Sequence, residues 1–75
     1  MKFKAQFEVW SVEQTDSQGR TVVLQQQYDP GIPQDEQFNK GIKTNGRLEL
    51  YVTNPAAQDQ LRLGMRVYIE LTPMQ

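Results

Sequence analysis

Arg47-Leu48-Glu49-Leu50-Tyr51-Val52-Thr53, followed by Asn54-Pro55-Ala56-Ala57-Gln58-Asp59-Gln60-Leu61-Arg62-Leu63-Gly64 and then Met65-Arg66-Val67-Tyr68-Ile69-Glu70-Leu71-Thr72, is the stretch that decides the fold. Its first and last parts alternate apolar and polar residues, the period of a half-buried strand. Leu48, Leu50 and Val52 share one face of the first run; Met65, Val67, Ile69 and Leu71 share one face of the second. Between them, Asn54 is a good N-cap and Pro55 sits where a missing N–H costs nothing. Ala57 and Leu61, four apart, give a short helix one apolar side, and Gly64 suits a left-handed C-terminal cap. The reading is strand, helical turn, strand, with Pro73 ending the last strand.

Upstream, Phe3, Ala5, Phe7 and Val9 alternate with Lys4, Gln6 and Glu8, and then the phase slips to Trp10 and Val12. A β-bulge near Val9 to Ser11 brings both sets to one side; a strand buried on both faces is the alternative. Asp16-Ser17-Gln18-Gly19 reads as a turn whose glycine is available for positive φ. Thr21 to Tyr28 reads as a second strand, with Val22, Leu24 and Tyr28 on one parity. Asp29-Pro30-Gly31-Ile32-Pro33 is a loop, because both prolines lack the ladder donor. A third strand is predicted from about Gln37 to Thr44 with Phe38 and Ile42 inward, joined to Arg47–Thr53 by an Asn45-Gly46 type I′ hairpin. The sum is a mostly all-β single domain over 1–75. It is a small five-stranded antiparallel barrel of the Src-homology-three type, with one short helical turn between the last two strands. An oligonucleotide-binding barrel is disfavoured, since it usually carries a helix where this reading puts only Asn45-Gly46.

Composition narrows the function. A chain of 75 residues makes a thin core, and one without cysteine has no disulfide or thiolate metal site. It has no histidine either, so the commonest general base and metal ligand are missing. The expectation is a protein that is not an enzyme, with no catalytic residues, no cofactor and no metal. Asp29, Asp35 and Glu36 are spaced too irregularly for a cation loop and read as solvated charge. The net charge of −1 disfavours a strongly basic nucleic-acid binder. No apolar run is long enough for a membrane span and no signal-peptide core opens the chain, so the mature protein is expected to start at Met1 and stay where it is made.

Thr44-Asn45-Gly46-Arg47-Leu48-Glu49-Leu50, Thr53-Asn54-Pro55-Ala56-Ala57 and Leu63-Gly64-Met65-Arg66-Val67-Tyr68-Ile69-Glu70-Leu71-Thr72-Pro73 resemble the C-terminal half of small tailed-bacteriophage and prophage proteins of unassigned function. The opening Lys-Phe-Lys-Ala strand is similar too, and the middle loop is the weakest part of the likeness. Val67-Tyr68 stands where paired aromatics are common in that group. What the resemblance implies is a phage or prophage origin, and hence the bacterial host cytoplasm or the virion. It implies no mechanism.

Trp10, Tyr51, Arg66 and Tyr68 are the candidate interaction surface. Tyr51 and Tyr68 fall on outward parity near Arg47 and Arg66, where such side chains anchor a protein partner or stack bases. Ordinary cross-strand packing is the plain reading of the same tyrosines. Trp10 is expected in the core; exposed, it is the natural hot spot of an interface. Lys40, Lys43 and Arg47 form a basic tip, read as a solvated hairpin end or as a weak anionic contact. Glu49 and Glu70 on the tyrosine face disfavour phosphate. The expected function is a non-enzymatic phage-encoded protein-interaction module, either a virion or assembly component or an accessory protein acting on a host factor. The alternatives are a single-stranded nucleic-acid-binding protein and an oligomeric small-ligand (nucleotide) binder acting in anti-defence. The unpaired seam of a partial barrel also favours self-association.

Overall fold

A computed structural model describes residues 2–74. Its strands are β1 (Phe3–Gln14), β2 (Arg20–Gln27), β3 (Arg47–Val52) and β4 (Arg66–Leu71), with helix α1 (Pro55–Gln60) before the last. They form one antiparallel sheet in the order β3-β2-β1-β4, curled into half a barrel. β1 and β2 are each paired on both sides, and β3 and β4 are the edges. Alternation explains the inner face. Ala5, Phe7 and Val9 of β1, Val22 and Leu24 of β2 and Val52 of β3 are buried together. Val12, Leu48, Ala57, Leu61, Val67 and Ile69 pack against that core. Leu24, with no exposed surface, is its centre; cutting such a side chain to alanine typically costs about 2–5 kcal/mol.

The phase slip in β1 is a bulge. Val9 pairs with Leu24 and Ser11 with Val23, so Trp10 is the extra residue. Beyond it Val12 faces Val22 and joins the core, as the sequence predicts. Trp10 does not. It stands out of the core, 56% exposed, on the outer face. The last third follows its sequence pattern closely. The Asn54 side chain accepts from Ala56 N at 3.0 Å, Pro55 opens the helix, and Gly64 takes a positive φ of 86°. Ala57 and Leu61 lie against the apolar face at one end of the half-barrel.

The middle of the chain departs from expectation. No strand forms over 37–44, so the described residues hold four strands in an open sheet where five in a closed barrel were expected. The reason lies in the pattern itself: Phe38 and Ile42 share a parity with Lys40, which an inward strand would have to bury. Gly41, at φ 83°, also breaks the extended backbone. Ile42 ends up 71% exposed, and Phe38 packs beside Phe3 with ring centroids 6.4 Å apart. Asn45-Gly46 makes no type I′ turn, since neither residue has positive φ. Instead Gly46 continues the β3 ladder, its carbonyl accepting from Gln26 N at 2.8 Å. The ground for setting aside an oligonucleotide-binding barrel goes with the hairpin, although an open four-stranded sheet is neither closed form. Gly19 likewise has no positive φ; its role is space, because a Cβ there would collide with the Tyr51 ring.

Loop 28–46 is organised by one buried polar side chain. Gln26 lies on the inner parity of β2, a buried polar residue between Leu24 and Tyr28. Its amide nitrogen donates to Asn39 Oδ1 at 2.9 Å, and its carbonyl oxygen accepts from Gly46 N at 3.0 Å. Both ends of the loop's second half are thereby fixed to β2. Within the first half, Gln37 Nε2 donates to the carbonyls of Asp29 and Ile32, and Ile32 is buried beside β1. Tyr28, expected inward, is exposed.

Candidate interaction surface

The outer face of the sheet collects most of the residues singled out from sequence. Register places them. Glu8 faces Gln25 on one side and Arg66 on the other; Ser11 faces Val23; Thr21 faces Tyr51; Val23 faces Glu49. The bulge lifts Trp10 over this surface, where it walls an open groove of about 470 Å³. Ser11 and Glu13 continue the wall on β1, Val23 and Gln25 form the floor on β2, and Arg47 with Glu49 closes the far side on β3. Trp10 and Arg47 therefore share one site. Tyr51 borders it through its neighbour Thr21.

The two tyrosines are held at their hydroxyls. Tyr51 Oη donates to Asp16 Oδ2 at 2.5 Å, and Tyr68 Oη donates to Asp29 Oδ2 at 2.8 Å. Each bond pushes its phenol above the ordinary value near 10, because ionising it would set two negative charges together. Asp16 is held below the usual carboxylate range, first by Tyr51 and then by the backbone N–H groups of Gln18 and Gly19. Tyr68 reaches across β1 to Asp29, just past β2, and lies beside Lys4, Gly31 and Ile32, outside the groove. Sequence reasoning had no signal for either aspartate partner, since they lie 35 and 39 residues from their tyrosines.

The cations of this face are engaged by carboxylates. Arg66 Nε lies 3.5 Å from Glu8, Arg47 lies 3.7 Å from Glu49, and Lys2 lies 3.6 Å from Glu70. With Glu13 unopposed among the described ion pairs, the groove leans acidic. Lys40 and Lys43 are exposed in loop 28–46, without the hairpin that was expected to present them, and Arg47 starts β3. Glu36 is turned to Lys4 at 3.5 Å, and Asp29 to Tyr68, Gln6 and Gly31 N. Among the described residues no cluster of three potential ligands is placed to hold a metal, and no helix is long and apolar enough to cross a membrane.

No protein-family model, no curated protein and no solved structure matches this chain. What the surface offers chemically is therefore read from its own atoms: a large aromatic wall, an apolar floor residue, and paired rim charges that sum to acidic.

Proposed function

We propose that this protein is a phage-encoded, non-enzymatic interaction module that grips a partner protein through the groove beside Trp10. The exposure of that tryptophan carries the reading. An indole presents a large apolar surface whose burial dominates many interfaces, and here the bulge holds it out of a core that has room for Val12 instead. The rim favours a partner presenting an apolar side chain flanked by a basic one, since Glu13 and the Arg47–Glu49 pair surround the floor. The same charges weigh against phosphate: each arginine of this face already has a carboxylate beside it, so a nucleic acid would meet as much repulsion as attraction. Phage origin rests on the sequence likeness alone. Both roles compatible with it, virion assembly and action on a host factor, set the module against a protein surface.

The test begins with candidate partners expressed from neighbouring phage genes or from the host, purified and titrated against wild type and Trp10→Ala. A one-to-one complex weakened at least about thirtyfold by Trp10→Ala, with circular dichroism and Tm unchanged, is the expected result for a hot-spot tryptophan. Salt-sensitive binding of a single-stranded oligonucleotide, or stabilisation by a nucleotide, with no protein partner found, overturns it.

A further inference from the structure

We infer that the open edge of β4 pairs antiparallel with β4 of a second copy of this chain, about a two-fold axis at Tyr68. The inference stands apart from the Trp10 groove, which lies on the other side of β1. It begins from the hydrogen-bond phase of the edge. Val9 N donates to Met65 O at 2.8 Å, and Val9 and Met65 continue the β1–β4 register of Phe7↔Val67, Ala5↔Ile69 and Phe3↔Leu71. Ladder bonds repeat every second residue, so Val67, Ile69 and Leu71 spend their backbone groups on β1. The N–H and C=O groups of Arg66, Tyr68 and Glu70 therefore face outward, unpaired, along an edge where these three residues are exposed. Such an edge is a template for another strand.

The side chains choose the register. With the axis at Tyr68, Arg66 faces Glu70 of the second copy and Glu70 faces its Arg66, so the charges complement each other twice. On the inner side the same register sets Val67 against Ile69 and Met65 against Leu71. Met65 and Leu71 are the two inward-parity residues of this stretch left well exposed, at 42% and 56%. Each thus gains the other as cover across the axis. Moving the axis by one residue places Arg66 opposite Tyr68 or Thr72 and loses both charge pairs. The other edge does not offer an equivalent solution: Gly46 O bonds Gln26 N, so Arg47, Glu49 and Tyr51 carry the outward backbone groups of β3, and the in-phase self-pairing centred on that strand sets Glu49 against Glu49. Joining β3 to β4 of the next copy forms one Arg47–Glu70 pair but is head-to-tail, so it grows into rings or filaments instead of closing.

The pairing makes one eight-stranded sheet from two half-barrels. A single strand seam is a small interface, so association is expected at about micromolar concentrations and above. Sedimentation equilibrium of wild type, Arg66→Glu, Glu70→Arg and the double variant tests it. Both charges are exposed, so the folds survive these changes, which circular dichroism checks. Expected is a wild-type dimer, weakened at least about tenfold in each single variant, where like charges meet twice, and restored in the double variant. Amide exchange at Arg66, Tyr68 and Glu70 should slow as protein concentration rises. A monomer up to millimolar concentration, an assembly larger than two, or a dimer indifferent to both single variants overturns the inference.

Discussion

Tyr51 on β3 and Tyr68 on β4 use the same device at opposite ends of the sheet. Each edge strand sends a phenol hydroxyl to an aspartate in a connection, yet the two connections are built differently. Turn 15–19 organises itself around Asp16, which accepts from Gln18 N at 2.9 Å and Gly19 N at 2.7 Å as well as from Tyr51. Loop 28–46 is too long for one carboxylate. Asp29 fixes only its first turn, through Gly31 N at 2.8 Å, and the rest depends on Gln26 and Gln37. A short connection is held by local bonds, whereas a long one needs a buried anchor from the sheet to offset the entropy of ordering it.

The largest effect that separates the two regions is expected at Gln26. Gln26→Ala leaves Gly46 N and Asn39 without their buried partner and should cost roughly 1–3 kcal/mol in denaturant unfolding. Amide exchange would quicken across 37–46 and leave 15–19 protected. Equal loss of protection in both would break the distinction. Next comes Gly19→Ala. The new Cβ must displace the Tyr51 ring, but that ring is exposed and can swing, so about 1 kcal/mol is expected, the low end of overpacking costs. Gly31→Ala, whose Cβ would meet Asp29 Oδ1 at 3.1 Å, should be milder.

A titration sharpens the comparison further. Asp16 has a depressed folded pKa, so its contribution is present above the ordinary carboxylate value and fades as pH falls through the folded one. Tyr51 and Tyr68 have raised folded values, so theirs is complete below about pH 10 and is lost as pH rises through the folded pKa. Stability is therefore expected to decline at both extremes. By NMR titration, Asp16→Asn should bring Tyr51 back toward its ordinary value and leave Tyr68 raised. The smallest effect is expected for Tyr68→Phe, which removes one exposed hydrogen bond: a Tm change smaller than that of Gly19→Ala.

Much of this scaffold was legible because its signals are local. Alternation in Arg47–Thr53 and Met65–Thr72, the Asn54-Pro55 helix start, the Gly64 cap and the slip at Trp10 each declare a geometry within a few residues, and each is found. What failed had to be decided at a distance. Asn45-Gly46 is a strong hairpin signal, but Gln26 claims Gly46 from twenty residues away and draws it into the ladder. Phe38 and Ile42 suit an inward strand, but Lys40 shares their parity and opposes it. Trp10 could not be sorted into core or surface from parity, since a bulge abolishes parity at the residue it inserts. The aspartate partners of the tyrosines left no trace in local pattern at all.

The bulge has a further consequence. Because Val9 stays opposite Leu24 and Ser11 opposite Val23, Trp10 is the one residue of the long first strand whose excision keeps every rung of both neighbouring ladders in step. A chain of 74 residues lacking it should assemble the same sheet, straighter at that point, with the groove's wall gone. That shortened molecule would separate what the scaffold requires from what it carries, without removing any residue of the buried core.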